Sequence, residues 1–438
     1  MKFYDRESEL ATLNKVLVQS RSESRMTVVM GRRRIGKTEL IRRCDDKTIL
    51  YFFVARKAES LLCEDFAKEA EEKLNIPIGK PTRFSDLFVF LLKTSENKPF
   101  TLIIDEFQDF QRVNSSIFSE IQRDWDIYRK RGKMNLILSG SVFTMMKKIF
   151  EDYNEPLFGR ANQTITVSPF ATETLKQVLH DHNSNSTNED LLALYSITGG
   201  VAWYVSLLMD NGRTTRKDIL QYITERNSPF INEGRNILIE EFGPDYSMHF
   251  SILTCIASGL YTRGEMENIL QNKNIGSYIT RLEKYYGLIK SYQPIFAKTN
   301  SKNIQYKLND SFLTFWFRFI YKYQAYIENG SLELLAQIID RDYSTFSGFA
   351  LERYFENKFR ESGQYTRIGK FWDRKGQNEI DLIAVNEIEN TAEIYEIKKD
   401  ERKFDKSLLK KKVEYFKNNC DQIKKMKIST GVLTIDDM

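Results

Sequence analysis

The chain has 438 residues, 41% of them apolar and 29% charged, with a formal net charge of +5. That length exceeds one ordinary core, so two to four domains are expected, and the composition is that of a folded chain. The sequence has no uncharged apolar run long enough for a membrane helix, no apolar secretory core in its first residues, and no paired cysteines, since Cys44, Cys63, Cys255 and Cys420 are scattered. These features predict no membrane partner, no zinc or disulfide framework, and a reducing cytoplasmic location.

From residue 26 to about 167, short apolar runs alternate with longer amphipathic stretches. Strands are predicted at 27–30, 49–54, 101–104, 136–139 and 164–167, each brief, β-branched or aromatic, and bounded by polar or turn residues. Strands separated by helices imply an α/β fold with a parallel sheet covered on both faces.

The first predicted strand runs into Gly31-Arg32-Arg33-Arg34-Ile35-Gly36-Lys37-Thr38-Glu39, which contains the P-loop spacing G-x-x-x-x-G-K-[ST]. Glycines let the backbone curl so that several N–H groups face one phosphate. Lys37 would reach the β- and γ-phosphates of ATP, and the Thr38 hydroxyl would ligate Mg²⁺. A helix predicted at 38–43 would add its positive N-terminal end. The strand at 101–104 ends in Asp105-Glu106, which supplies a metal carboxylate and a base to orient and activate water. Two acids capping a buried strand is the plainer alternative, and the P-loop upstream argues against it. At the tip of the next strand, Ser139 or Ser141 can contact the γ-phosphate or the attacking water. Either can equally be a helix N-cap.

These motifs resemble the prokaryotic family of archaeal-type ATPases, P-loop NTPases related to AAA+ and STAND proteins. The resemblance runs through Phe3-Tyr-Asp-Arg6-Glu7-Ser-Glu-Leu10, similar to the family's opening motif near the adenine. It continues through Gly31–Leu40, Leu102–Phe107, Leu136–Ser141 and Pro156-Leu-Phe-Gly159-Arg160, which leads to Ser168-Pro169-Phe170. It implies an ATPase with a helical lid and C-terminal modules. Thr198-Gly-Gly-Val-Ala202-Trp-Tyr204 departs from the family's lid stretch, because Ala202 replaces a proline and puts the lid's nucleotide-sensing geometry in doubt. Arg160 is a candidate charge-neutralising arginine, acting in its own chain or on a neighbour in a homo-oligomer. The plainer reading is a surface ion pair.

Beyond Pro169 the pattern is mainly helical. Helices predicted at 247–258, 262–270 and 276–286, followed by strands at 288–291 and 304–308, compose a winged helix-turn-helix. Ser277, Tyr278, Arg281 and Lys284 would face outward from its third helix and meet DNA, with a basic wing on phosphates, unless the module is a protein scaffold. The aromatic run 312–320 resembles the family's junction to its last domain and reads as core.

The last unit returns to mixed α/β, with a basic helical tail. Strands at 379–385 and 392–398 carry Asp381 and the pair Glu396-x-Lys398, the PD-(D/E)XK nuclease arrangement. Charges on otherwise apolar strand faces are costly unless paired or metal-bound. Asp381 and Glu396 would hold Mg²⁺ or Mn²⁺, and Lys398 would position the water. Glu352, on the preceding helix, would be an additional metal acid, and the residues from Ile368 to Asp373 resemble the family's restriction-endonuclease-like domain. A buried Asp381–Lys398 ion pair is the alternative. The Lys-rich segment 398–412 is either a solvated face or a nucleic-acid patch.

The expected organisation is an ATPase core at 1–168, a lid at 169–240, a winged helix at 241–325 and a nuclease-like domain at 335–438. Two functions remain: an ATPase coupling nucleotide state to DNA binding and cleavage, or a STAND-like switch whose C-terminal domain binds without cutting. A small-molecule kinase would leave both C-terminal modules without a role.

Overall fold

The computed structural model describes residues 1–242, 246–271, 273–298, 301–373 and 376–438. It divides into two compact units, Asp5–Pro169 and Phe170–Met438, the second including Met1–Tyr4.

The first unit is built on β1 (Arg25–Met30), β2 (Ile49–Phe53), β3 (Phe100–Asp105), β4 (Met134–Gly140) and β5 (Gln163–Thr166). All five are parallel, in the order β2-β3-β4-β1-β5. β3 and β4 are buried along their whole length, as expected of strands covered on both faces. Phe52 stacks on Phe66 with ring centroids 4.3 Å apart, and Phe84, Phe107 and Phe110 extend this aromatic core. Because β4 lies between β1 and β3, the loops leaving three neighbouring strands open at one carboxyl edge. That edge is where open α/β sheets bind ligands.

Gly31, the first residue after β1, has no room for a side chain. A Cβ there would sit 2.7 Å from the Val167 carbonyl oxygen, which belongs to backbone and cannot swing away. Gly31→Ala is therefore expected to cost about 1–3 kcal/mol, read as a lowered urea midpoint with unchanged slope. A midpoint equal to wild type would show that the strand–loop junction has slack.

The second unit begins with helices Thr172–His182, Asn188–Thr198, Ala202–Asp210, Arg216–Ile223 and Pro229–Phe242. Gly199 and Gly200 both adopt positive φ, and Ala202 is the first residue of the next helix. That position favours proline but tolerates alanine, so the substitution leaves the local helix start intact. The expected boundary at 240/241 falls inside the last of these helices, two residues before 243–245, which lie outside the described residues.

Helices Ser247–Ala257, Arg263–Ile269 and Gly276–Thr280 follow, the last continuing as a π-helical turn over Arg281–Tyr285. An uninterrupted α-helix was expected there, but the Tyr286 N–H donates five residues back to Arg281 at 2.9 Å. The second helix opens with a reciprocal capping box between Thr262 and Glu265. β6 (Ile289–Tyr292) and β7 (Gln305–Leu308) form an antiparallel hairpin. Its connecting loop packs on the last sheet: Ile295 N–H donates to Lys370 O at 2.7 Å, and Trp372 Nε1 donates to Asn303 Oδ1 at 3.0 Å. The described part of the loop thus covers a sheet edge, not the solvent position a phosphate-touching wing requires; residues 299–300 lie outside the described residues.

The aromatic run is core: Phe312, Phe315, Trp316, Phe317 and Phe319 are all buried. A long helix, Leu332–Glu361, leads into β8 (Arg367–Phe371), β9 (Ile380–Asn386), β10 (Thr391–Ile397) and, after helix Lys406–Asn419, β11 (Lys427–Leu433). The order is β11-β10-β9-β8, antiparallel except for the β10–β11 pair. The expected basic helical tail is the helix Lys406–Asn419, and β11 follows it as a strand that was not expected. Its largely exposed Ser, Thr and Gly residues carry no apolar alternation to announce a strand.

Candidate functional site

The phosphate loop leaves β1 with Arg34 at φ 67° and Gly36 at φ 98°, two left-handed residues that turn the backbone back on itself. Arg34 pays for that conformation where glycine would not, a local strain typical of ligand loops. Ile35, 1% exposed, anchors the turn. Lys37 is 6% exposed, and its ammonium donates to the Gly31 and Arg32 carbonyls at 2.9 and 3.0 Å. The charge is thereby held at the centre of the loop. The following helix, Lys37–Ile41, is shorter than the expected 38–43, so the loop's own N–H groups carry more of the anion-binding capacity than the helix end. Glu39 is exposed and pairs with Arg43 at 2.8 Å, away from phosphate chemistry.

Opposite the loop, Thr38 Oγ1 donates to Asp105 Oδ2 at 2.9 Å. Two oxygen ligands meeting between the first turn of the helix after the loop and the tip of β3 suit Mg²⁺, a hard ion that takes oxygen ligands, so these residues fit the expected metal. Tyr51 OH also donates to Asp105 Oδ2, at 2.7 Å, while the Arg42 guanidinium lies 4.3 Å from the Tyr51 ring. Burial, and then the contact with Asp105, push the Tyr51 phenol well above its usual pKa, so it remains a donor. Tyr51 escaped the motif reading. The signal was its parallel register, since Phe53 pairs with Asp105 and Tyr51 shares that face two residues earlier.

Glu106 sits at φ 54° immediately after β3. Its Oε2 accepts from Ser141 Oγ at 2.6 Å and from Gln108 Nε2 at 2.7 Å. The β4 tip therefore brings Ser141, not Ser139, to the acid. Ser139 Oγ lies buried inside the strand with no hydrogen-bond partner among the described residues. Gln108 was also missed, and Gly140 explains its placement: a Cβ there would fall 2.3 Å from Gln108 Oε1.

Arg160 does not join this group. Its guanidinium donates to Asp126 at 3.0 and 3.2 Å. Two residues on, Asn162 pairs with Met26 at the opposite end of β1, about 16 Å of strand from the loop. Action on its own chain's phosphate is thereby corrected, and the ion-pair reading describes its contacts.

In the second unit, Asp381 on β9 and Glu396 on β10 meet at one ammonium. Lys398 Nζ donates to Asp381 Oδ2 at 3.2 Å and to Glu396 Oε2 at 2.9 Å. Ile397 N–H adds a bond to Asp381 at 2.9 Å, and Lys412 reaches Glu396 Oε1 at 2.6 Å. Glu352 is ion-paired with Lys370. Burial opposes the Lys398 charge, but the two carboxylates outweigh it and raise its pKa, so the amine is held protonated. Burial raises Glu352 against the pull of Lys370. Three carboxylates thus meet three ammonium groups, and among the described residues no cluster of three His, Cys, Asp or Glu is placed to hold a metal ion. In this arrangement each carboxylate is neutralised by a lysine.

On the helix starting at Gly276, Ser277, Arg281 and Lys284 are exposed, whereas Tyr278 is half-buried with its ring 5.3 Å from His249.

Residues 3–208 match a family described as an ATPase domain predominantly from Archaea. Residues 316–412 match a family of archaeal and bacterial proteins of unknown function. An uncharacterised protein of Methanocaldococcus jannaschii is 28% identical over 405 residues, spanning 90% of this chain and 87% of the relative. Among solved structures, a Walker-type ATPase of Pyrococcus abyssi shares the fold at a TM-score of 0.54 and 19% identity, covering 72% of this chain and 96% of that one. A looser likeness joins the chain to the ORC2 protein of Aeropyrum pernix, solved as ADPNP–ADP complexes (TM-score 0.45, 14% identity, 77% and 95% covered). No helix among the described residues is long and apolar enough to cross a membrane. Residues 3–208 thus match an archaeal-type ATPase domain, and within them lie the phosphate loop and the five-stranded parallel sheet that positions it.

Proposed function

We propose that this protein binds and hydrolyses ATP with Mg²⁺ and uses its nucleotide state to control how its C-terminal part engages DNA. The observation that carries the ATPase half is the convergence of Thr38, Asp105 and Glu106 beside one phosphate loop. Loop N–H groups from Gly31 to Thr38 and the Lys37 ammonium take the phosphate charge. Thr38 and Asp105 would hold Mg²⁺, which would supply charge neutralisation at the phosphates. Glu106 orients the attacking water and accepts its proton, with Ser141 and Gln108 fixing its carboxylate.

The DNA half rests on the helix-turn-helix order of residues 247–286, whose third helix exposes Ser277, Arg281 and Lys284. Helix 276–285 is the element such a module lays in a major groove. We assign 169–240 to the lid, 241–325 to a winged helix and 335–438 to a PD-(D/E)XK-like domain. Adjacent strands presenting Asp381 and Glu396-x-Lys398 support the last assignment.

Two outputs follow from that domain. The lysine-satisfied acids favour the non-cleaving, STAND-like switch, since each carboxylate already has a cation. The intact Asp381, Glu396 and Lys398 set favours cutting. Incubating plasmid and linear DNA with Mg²⁺ or Mn²⁺, with and without ATP, decides between them. The switch reading expects intact DNA with wild type and with Asp381→Ala alike. Products from wild type that vanish in Asp381→Ala would establish the nuclease instead.

A further inference from the structure

One face of the β6–β7 hairpin carries Lys290 directly opposite Lys307, while the other buries Ile289 against Leu308. Like charges in that cross-strand position repel. Both ammonium groups lie over the Tyr292 ring, 5.3 and 5.9 Å from its centroid, and Lys307 also lies 5.4 Å from the Tyr261 centroid. Lys307 is half-buried, as is Arg318, and neither has a hydrogen-bond acceptor or ion-pair partner among the described residues.

Lys307 and Arg318 both line a cavity of about 380 Å³, walled by Tyr261, Tyr292 and Phe349 and reaching Glu352. The acids nearby are committed or exposed: Glu352 pairs with Lys370, Glu356 with Arg360 and Asp342, the acid that feels Arg318, with Arg341, while Glu379 is exposed. Burial and the neighbouring Lys370 depress the Lys307 pKa, and burial and Arg360 depress that of Lys290. Cations kept from water without an acceptor are costly, and an anion entering the cavity relieves that cost. The volume is in the range of small-molecule sites. Aromatic walls beside two cations match a flat base joined to a phosphate.

We propose that this cavity binds a nucleoside phosphate, free or at the end of a nucleic-acid chain. Its phosphate is taken by Lys307 and Arg318, and its base lies against the Tyr261 and Tyr292 rings. The site is separate from the phosphate loop and stands whether or not Asp381 takes part in cleavage.

The test uses the full chain carrying Lys37→Ala, so that the phosphate loop does not compete. Equilibrium dialysis with labelled dAMP, a 5′-phosphorylated trinucleotide and inorganic phosphate is expected to give one saturable site per chain for a nucleotide ligand. Lys307→Met and Arg318→Gln should each weaken it at least tenfold. Tighter trinucleotide binding assigns a chain end, and tighter dAMP binding a free nucleotide. Without ligand, Lys307→Met should melt at a higher temperature, because it removes the repulsion from Lys290; a purely structural lysine would do the reverse. If Lys307→Met folds poorly, Tyr292→Leu reads the base contact instead, with the same tenfold loss expected. No saturable nucleotide binding, phosphate binding as tightly as dAMP, or affinities indifferent to these variants would overturn the proposal.

Discussion

Glu106→Gln is expected to lower kcat for ATP hydrolysis by about 10²–10⁴-fold while leaving ATP affinity nearly unchanged. The side chain keeps its length, so the carbonyl oxygen of the amide can still accept from Ser141 and Gln108, the two donors that hold Oε2 at 2.6 and 2.7 Å. What is lost is the ability to take a proton from water. Binding should survive because the phosphate contacts lie on the loop and on Lys37. Steady-state turnover beside equilibrium binding of ATP checks both halves. Undiminished turnover would remove Glu106 from the chemistry, and lost binding would make it a structural residue.

Lys37→Ala should act on the other parameter, ATP affinity. A hydrogen bond to a charged group contributes about 1.5–3 kcal/mol, so loss of the ammonium's phosphate contact predicts a fall in ATP affinity of about 10–150-fold. Lys37 also ties the Gly31 and Arg32 carbonyls together across the loop, at 2.9 and 3.0 Å. Removing that tie should lower stability by about 1–2 kcal/mol, since two carbonyls lose their donor. Titration with ATP and a urea melt on the same preparation separate the effects. Unchanged affinity with an intact fold would mean that ATP binds elsewhere.

Local signals made much of this legible. The five strands of the parallel sheet fall within about two residues of their apolar runs, because buried strands between helices must be apolar on both faces. The loop and the acids at 105–106 were readable because their chemistry depends on residues close in sequence. Contacts between distant segments were not. Tyr51 reaches Asp105 across a strand pair, and Lys412 reaches Glu396 from a helix beyond the strand. The Lys370–Glu352 pair likewise joins β8 to the long helix, and no spacing rule foretells it. Arg160 had a suggestive motif but starts its strand from the wrong end of the sheet. β11 stayed hidden because an exposed edge strand needs no apolar alternation.

The central claim is that the nucleotide held by the phosphate loop sets the affinity of the C-terminal part for DNA. The most direct measurement is the dissociation constant of a short duplex for the Glu106→Gln chain saturated with ATP, against the same chain saturated with ADP, at one fixed salt concentration. Salt must be fixed because phosphate contacts dominate such affinities. A difference of about tenfold, equivalent to about 1.4 kcal/mol of coupling, is the predicted result. Equal constants in both nucleotide states, or no DNA binding in either, would contradict it.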